Sequence, residues 1–282
     1  MHRPQLPEPA LLLVFPQWQG AGALPGLRDS ALAIARTISG VRKRVEVPVE
    51  ASHSLSRERG IEGRSELLSQ LARARELLEA EQPGRLLAVG GDCGIEVPVI
   101  AYLNARSEGR LTVLWLDAHP DLNTPESSPS GHFHGMPLRV LLGEGDPAFT
   151  ALVDRPLRPE QVVLAGTRSF DPPEQELVER RGLRLFAPEG LAGQVLQVVR
   201  SIREVGTGGV YVHLDLDVTD PREFPSVACP TPDGVPVSTV FHLLDALAGE
   251  VDIVGAGVTE ASFDGPSVPS EIRPLLDWLG RS

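Results

Sequence analysis

The stretch Thr112–Asp121, TVLWLDAHPD, decides the fold class. Its first five residues, Thr112–Leu116, form an apolar run that predicts a buried strand. The polar residues Asp117, His119 and Asp121 follow directly and are spaced two apart. In an extended segment this spacing points side chains to one face. We therefore expect the three side chains to converge just beyond the end of a strand.

Similar apolar runs recur along the chain and alternate with helical patterns. Further buried strands are predicted at Leu11–Phe15, Leu86–Val89, Gln161–Ala165, Leu183–Phe186, Val210–Leu216 and Val251–Val258. Helices are predicted at Ser65–Ala80, Gly94–Asn104, Pro137–Leu142, Pro173–Arg181, Leu191–Val205, Ser238–Ala248 and Ser270–Leu279. This α/β order predicts a three-layer αβα sandwich with a mainly parallel central sheet, and ligands are expected beyond the carboxyl ends of its strands.

Length and composition narrow the class of protein. The 282 residues are predicted to form one domain, 1–282, because a single sheet with its helices accommodates this length. No apolar run approaches the ~20 residues that span a bilayer, and the proline-rich start Met1–Pro9 is unlike a secretion signal. The only two cysteines, Cys93 and Cys229, form no CxxC pattern, which favours a reducing, cytoplasmic location. A net charge of -12 disfavours nucleic acid and anionic membranes as partners.

A second acidic cluster closes the strand predicted at Val210–Leu216. Asp215 and Asp217 repeat the spacing of two, and His213 precedes them. Four carboxylates and a histidine that meet at one sheet edge would repel one another unless cations neutralised them. The two clusters together therefore predict a metal site, and oxygen ligands with a histidine favour manganese or a similar divalent ion.

Asp215-Leu216-Asp217 also invites two other interpretations. A calcium loop counted from Asp215 would need glycine at position six and glutamate at position twelve, where Asp220 and Ser226 stand. The acidic pair with which some glycosyltransferases hold a metal and a sugar nucleotide stays open. That interpretation leaves the Asp117 cluster unexplained, whereas a two-metal site accounts for both clusters.

Together these motifs resemble those of the arginase (ureohydrolase) family. Asp117–Gly135, DAHPDLNTPESSPSGHFHG, and His213–Pro221, HLDLDVTDP, are similar to the family's DAHxD and SxDxDxxDP motifs. Gly90–Gly94, GGDCG, is similar to its GGDHS element, and the register runs on to Glu260. The resemblance implies an arginase-like fold, two divalent metal ions, a small guanidino substrate and a homo-oligomer, either a trimer or a hexamer.

The resemblance also implies which residues hold the two ions. They are Asp117, His119, Asp121, Asp215, Asp217 and Cys93. Asp117 and Asp215 are implied to bridge the ions. Cys93 stands where the family has histidine, and a thiolate there would shift the preference from manganese toward zinc, cobalt or iron. The alternative is that Cys93 is a small buried residue with no ligand role. Gly94 replaces the usual serine, which removes a hydroxyl near the site.

Further matches imply the residues of catalysis and substrate binding. His134 matches the proton-shuttling histidine, a group that titrates near neutral pH. Glu260 matches the carboxylate that pairs with the substrate guanidinium. The residues implied to bind the rest of the substrate are Asn123, Ser130, His132, Asp171, Glu174 and Thr231. His132 and Ser169 depart from arginases, which carry asparagine and aspartate at these positions.

The reaction implied by the resemblance is hydrolysis of L-arginine to L-ornithine and urea. Agmatine, a guanidino acid or formiminoglutamate are alternative substrates in the same chemical class. A third interpretation is a catalytically impaired member whose altered Gly91–Gly94 element has cost it metal, leaving a ligand-binding protein. Metal analysis and a panel of substrates distinguish the three.

Overall fold

The computed structural model describes residues 11–22, 24, 26–41, 43–50, 55–206 and 208–280. The prediction that Met1–Pro9 is not a secretion signal therefore concerns residues outside the described ranges. Within these ranges, no helix combines the length and the apolar character that a bilayer crossing requires.

A parallel sheet of eight strands forms the centre of the described chain. The strands, in chain order, are β1 (Leu11–Phe15), β2 (Arg44–Glu46), β3 (Arg57–Glu58), β4 (Ile61–Glu62), β5 (Leu86–Gly90), β6 (Thr112–Leu116), β7 (Val162–Ala165), β8 (Arg184–Phe186), β9 (Val210–Asp215) and β10 (Ile253–Thr259). β3 and β4 form a separate antiparallel pair. The other strands join in the order β2-β1-β5-β10-β9-β6-β7-β8, and each described pairing in this sheet is parallel.

Helices cover both faces of this sheet. They are α1 (Gly26–Thr37), α2 (Arg64–Glu81), α3 (Glu96–Arg106), α4 (Pro137–Leu141), α5 (Pro147–Thr150), α6 (Pro172–Arg181), α7 (Leu191–Val205), α8 (Val237–Ala248) and α9 (Arg273–Leu279). Apolar residues of α1, α7, α8 and α9 share one buried cluster with alternate residues of the strands. Those of α2, α3, α4 and α6 share the cluster on the opposite face. The predicted three-layer sandwich is confirmed.

The seven predicted strands and seven predicted helices are present, with differences at their ends. The helix predicted from Gly94 begins with a 3-10 turn, Cys93–Ile95, and α3 follows it. The cause is local, because the Asp92 carboxylate accepts a hydrogen bond from the Gly94 N–H at 2.8 Å and so caps the turn. The helix predicted from Ser270 likewise opens with a 3-10 turn, Ser270–Ile272.

The strand order determines where a site can form. β5, β10, β9 and β6 are neighbours in the middle of the sheet. Because the strands are parallel, the turns at their carboxyl ends lie at one edge. The turn after β5 also packs against the segment after β1, where a Cβ on Gly91 would lie 1.9 Å from the carbonyl oxygen of Gln17. Glycine is therefore required at position 91 for this close approach.

Candidate metal centre and active site

The turns after the four central strands bring functional side chains together. Cys93 follows β5, Asp117 and Asp121 follow β6, Asp215 ends β9 and Glu260 follows β10. All five side chains are buried. Residues that are far apart in the sequence therefore share one pocket of the sheet edge.

Three overlapping groups of potential ligands adjoin in this pocket. Ligand atoms of Cys93, Asp117, Asp121 and His213 lie within 4.8 Å of one another, and so do those of Asp117, His119 and Asp217. Asp117 belongs to both groups, as a residue shared by two ions would. Asp215 instead groups with Cys93 and Glu260.

The expectation of an extended segment after β6 is wrong. Residues 117–121 bend, and Asp121 has a left-handed φ of 52°. The Asp117 carboxylate accepts a hydrogen bond from the His119 N–H at 2.7 Å, and Asp215 accepts one from the Asp217 N–H at 2.7 Å. The side chains thus converge because each leading aspartate caps the turn that follows it, and not because a strand continues.

The electrostatics of the pocket favour a cation. Burial, reinforced by neighbouring carboxylates, raises the pKa of Asp121, Asp215 and Asp217. Burial lowers the pKa of His119, but hydrogen bonds with Asp117 and Asp217 outweigh this and raise it to about 12. Asp121 Oδ2 is buried and accepts no hydrogen bond from the described residues. Oxygen, nitrogen and sulfur donors with excess negative charge fit divalent metal ions.

Cys93 contacts these carboxylates through its sulfur atom. Sγ lies 3.0 Å from Asp215 Oδ2, to which the thiol donates, and 3.3 Å from Thr259 Oγ1. Burial, together with the charge of Asp215, raises the pKa of this thiol well above its usual value. Cys93 is therefore protonated beside the bare carboxylates, and a bound cation would be needed to form its thiolate.

His134 and Glu260 form a pair beside the metal ligands. His134 Nδ1 lies 3.2 Å from Glu260 Oε1, which also accepts a hydrogen bond from the Cys93 N–H at 3.1 Å. Burial lowers the pKa of His134, but the charge of Glu260 raises it above its ordinary value. Glu260 has a left-handed φ of 64° and its N–H donates to the Gly91 carbonyl at 2.7 Å. This unusual backbone conformation aims the carboxylate at the site.

Three of the predicted substrate-binding residues form one hydrogen-bonded group. Asn123 Nδ2 donates to Asp171 Oδ2 at 2.8 Å. Glu174 accepts from the Leu122 N–H and the Asp171 N–H, both at 2.9 Å. Both oxygens of Glu174 therefore hold the start of α6 against the turn after β6. Burial raises the pKa of Glu174 to about 7.

The other three predicted substrate-binding residues lie on two loops. Ser130 is exposed, and its Oγ accepts a hydrogen bond from the His132 N–H at 3.1 Å. His132 Nε2 lies 3.7 Å from Glu62 Oε2, and the two imidazoles of His132 and His134 are 5.9 Å apart at their centroids. Thr231 donates its hydroxyl to the Cys229 carbonyl at 3.0 Å.

The sequence interpretation missed two residues of this region. His213 was counted only as a neighbour of the aspartates, yet it lies inside the first ligand group. The signal that could have identified it is its departure from the family motif, which has serine where this chain has His213. Arg168 donates to the carbonyl oxygens of Gly166, Asp217, Val218, Thr231 and Pro232. Arg168 thus joins the loop that carries Thr231 to the end of β9, a role that no local pattern indicates.

Comparisons with known proteins agree with this geometry. The profile of the Arginase family matches residues 44–264. An arginase from Bacillus caldovelox is 34% identical over 245 residues, which cover 82% of this chain and 77% of that protein. A solved structure of Bacillus caldovelox arginase has a TM-score of 0.80 at 24% identity, with 98% of both chains covered. Formimidoylglutamase from Bacillus subtilis shares the fold, with a TM-score of 0.73 at 14% identity over 96% of this chain and 85% of that chain. The chain belongs to the arginase family of binuclear-metal ureohydrolases.

Proposed function

We propose that this chain hydrolyses the guanidino C–N bond of L-arginine to give L-ornithine and urea. The observation that carries the proposal is the buried, carboxylate-rich ligand cluster directly beside the His134–Glu260 pair. A guanidinium carbon is stabilised by delocalisation, so attack by water needs strong electrostatic assistance. The cluster is suited to hold cations that provide it, and the pair is suited to hold the substrate and move a proton.

The metal ligands in this proposal are Asp117, His119, Asp121, Asp215, Asp217 and Cys93. Two divalent ions, when bound, stabilise developing charge and make water acidic enough to be deprotonated near neutral pH. We take manganese as the preferred metal because most of the donors are carboxylate oxygens. Zinc, cobalt and iron are the alternatives because Cys93 offers sulfur.

Glu260 orients the substrate through one oxygen of its carboxylate. Oε1 is held by the Cys93 N–H and by His134, whereas Oε2 is buried without a hydrogen-bond partner among the described residues. An unpaired buried carboxylate oxygen is costly unless a ligand satisfies it. A substrate guanidinium, which donates several N–H groups in one plane, satisfies it well.

His134 acts as the proton donor to the departing amine. Its Nδ1 is committed to Glu260, so Nε2 is the atom that transfers the proton. Because Glu260 raises the pKa of His134, a larger fraction of the imidazole is protonated at neutral pH than in an ordinary histidine. The proton passes to the nitrogen as the C–N bond breaks, which releases a neutral amine.

The remaining predicted residues recognise the other end of arginine. Asn123 and Ser130 are proposed to bind the α-carboxylate, and Asp171 the α-amino group. Glu174 supports Asp171, because it accepts a hydrogen bond from the Asp171 N–H at 2.9 Å. His132 and Thr231 complete the pocket.

The protein is further proposed to be cytoplasmic and to form a trimer or a hexamer. Light scattering during gel filtration tests the oligomeric state.

A second candidate substrate is another guanidino or formimino compound. The environment of His132 favours it. His132 stands where arginases carry asparagine, and its imidazole lies beside the carboxylate of Glu62. Together the two side chains offer a hydrogen-bond donor and an acceptor to the substrate. Agmatine, guanidino acids and formiminoglutamate differ from arginine in the charges at this end. Which compound is hydrolysed therefore depends on which groups the loop around His132 binds at the end of the substrate away from the guanidino group.

The test is a substrate panel with metal-loaded protein. L-arginine, agmatine, a guanidino acid and formiminoglutamate are each assayed for release of urea, formamide or amine, and kcat/KM values are compared. The proposal expects the highest value for L-arginine. Turnover of only another compound contradicts the arginine assignment, and absence of both turnover and bound metal supports the impaired, ligand-binding interpretation.

A further inference from the structure

A histidine that the family motif lacks lies inside the first ligand group. His213 is fully buried in β9, two residues before Asp215. Its Nε2 lies 3.7 Å from Cys93 Sγ and 3.6 Å from Asp117 Oδ2. The motif has serine at this position and histidine at the position of Cys93. Compared with the family motif, this chain therefore has the small side chain on β5's turn, at Cys93, and the imidazole on β9, at His213.

We propose that His213 is a metal ligand of this chain and replaces the imidazole that is missing at Cys93. The inference rests on the proposed two-metal function and assigns one further ligand to it. Cys93 then serves as the neighbouring sulfur donor or as the small residue that leaves room for the imidazole. The donor set of the first ion becomes Cys93, Asp117, Asp121 and His213.

The distances agree with shared coordination. Atoms bonded to one tetrahedral ion lie about 3.5 Å apart, because metal–nitrogen and metal–sulfur bonds are about 2.0–2.3 Å long. The contacts of His213 Nε2 with Cys93 Sγ and Asp117 Oδ2 are close to this value. The 3.6 Å contact with Asp117 Oδ2 is longer than a good hydrogen bond, for which N···O is about 2.9 Å, whereas the contact with sulfur is long enough for either a hydrogen bond or shared coordination. Nε2 therefore faces these two donors, and one carboxylate oxygen of Asp121 lies within 4.8 Å of all three atoms.

A buried carboxylate orients this imidazole. His213 Nδ1 lies 2.9 Å from Glu96 Oε1, and Glu96 Oε2 accepts the Tyr211 hydroxyl at 2.6 Å. Glu96 has no exposed surface although it lies at the start of α3. A carboxylate on one ring nitrogen keeps the proton there and leaves the other nitrogen as an acceptor, the arrangement found behind metal-binding histidines.

The neighbouring strands make room for this carboxylate and hold the ring. Gly257 pairs with His213 across the sheet, and a Cβ at Gly257 would lie 2.1 Å from Glu96 Oε1. On the other side, the Trp115 ring packs on the imidazole with centroids 3.8 Å apart. Trp115 Nε1 also donates to Asp117 Oδ2 at 2.9 Å. His213 is thus held in one orientation from three directions.

A structural role is the rival explanation. Burial lowers the pKa of His213, but the adjacent carboxylates of Asp117 and Glu96 raise it to about 9. An imidazolium would therefore neutralise these two carboxylates with no metal present. The two roles differ in one measurable respect, because only a ligand changes the affinity for metal ions.

The experiment compares metal binding by wild type, H213Q and H242Q. Glutamine at position 213 has no ring nitrogen, and its amide oxygen is a much weaker metal ligand than an imidazole nitrogen. His242 is exposed on α8 and serves as the matched control. Chelated protein is titrated with manganese and zinc, and metal per chain is measured by elemental analysis after gel filtration. Metal-induced shifts of Tm are recorded in parallel.

We expect two ions per chain in wild type and H242Q. H213Q should hold one ion as wild type does and bind the other at least about 10-fold more weakly, since even loss of an orienting partner costs about 10–100-fold in affinity. Two ions bound by H213Q with unchanged affinity overturn the inference while leaving the two-metal function intact. A wild type that binds no metal overturns both.

A second variant, E96Q, tests the same inference if H213Q fails to fold. This variant keeps the imidazole and changes only the group that orients it. If His213 is a ligand, E96Q still binds two ions, but one of them about 10–100-fold more weakly. Unchanged affinity for both ions in E96Q contradicts the proposed arrangement. Circular dichroism and Tm without metal establish that the compared proteins are folded.

Discussion

His134 Nδ1 lies 3.2 Å from Glu260 Oε1, while Glu260 Oε2 is buried and has no hydrogen-bond partner among the described residues. One carboxylate therefore holds the proposed proton donor and still has an oxygen for the substrate. Because Glu260 follows β10 and His134 lies in the loop after β6, only the folded sheet creates this pair. The relationship leads directly to two predictions.

H134N should lower kcat by about 10²–10⁴, the usual contribution of a general acid–base group. Asparagine retains a donor toward Glu260 but cannot transfer a proton. Metal content should stay at the wild-type value, since His134 is outside all three ligand groups. Steady-state kinetics and elemental analysis check this, with H242N as the control. Unchanged turnover would remove His134 from the mechanism.

E260Q should lower kcat/KM by about 30-fold or more, because loss of one charge from a buried pair costs about 2–5 kcal/mol. The same change should lower the pKa of His134, since the charge of Glu260 is what raises it. NMR titration of the His134 ring measures the pKa, and initial rates measure kcat/KM. An unshifted imidazole titration would show that the two side chains are not in contact in solution.

Chelation should destabilise the protein as well as inactivate it. Buried carboxylates lose their counter-charges when metal leaves, and each ion at 100 times its Kd contributes about 2.7 kcal/mol to the free energy of unfolding. Tm should fall with chelator and recover when divalent metal is returned. Sodium chloride at matched ionic strength controls for screening. A Tm that is insensitive to chelator in metal-loaded protein contradicts the two-metal cluster.

R168K should reduce the free energy of unfolding by about 2–3 kcal/mol, because several hydrogen bonds of about 0.5–1.5 kcal/mol each are lost. Lysine cannot reproduce the fork that reaches the Asp217 and Thr231 carbonyls at 2.9 and 2.8 Å. R222K is the control, since the Arg222 side chain is exposed and surface substitutions change stability little. Urea unfolding of both variants measures the difference. Equal stabilities would show that Arg168 does not hold the loop.

The pair of Arg64 and Asp146 should make stability depend on pH. Arg64 donates to both Asp146 oxygens at 2.9 Å, and Asp146 also caps α5 through the Ala148 N–H. The hydrogen bond with Arg64 lowers the pKa of Asp146 below its ordinary 3.8. The contribution to stability is therefore full above pH 3.8 and is lost as the pH falls through the lowered pKa.

D146N should cost about 1.5–3 kcal/mol at pH 7, the value of a hydrogen bond to a charged group. D146A should cost about 1 kcal/mol more, because asparagine still caps a helix and alanine does not. Urea unfolding at pH 7 and at pH 3 tests both statements. The difference between D146N and wild type should be smaller at pH 3, and a pH-independent difference would contradict the assignment.

Parts of the fold escaped the sequence interpretation for physical reasons. β2, Arg44–Glu46, is a three-residue edge strand with charged side chains, so it lacks the apolar run by which buried strands are found. The β3 and β4 strands have two residues each, too few for any period to show. α1 did carry a signal, since Leu27, Ala31 and Ile34 follow helical spacing and are buried.

The sequence by itself determined the buried strands, the parallel αβα architecture and the acidic motifs at the strand ends. Local chemistry is sufficient for these features, because apolar segments become buried strands and aspartates are common in the turns that end them. Motif spacing also indicated Asp117 and Asp215 as residues of one site. The family resemblance added Cys93, Glu260 and His134 to them.

Only the tertiary structure decided what surrounds these residues. The strand order places β9 and β5 on either side of β10, and this brings His213 within 3.7 Å of Cys93 although 120 positions separate them. Glu96 reaches that imidazole only because Gly257 has no side chain. Such contacts depend on the register of neighbouring strands and on the space that a third residue leaves, and neither is written in the spacing of any one motif.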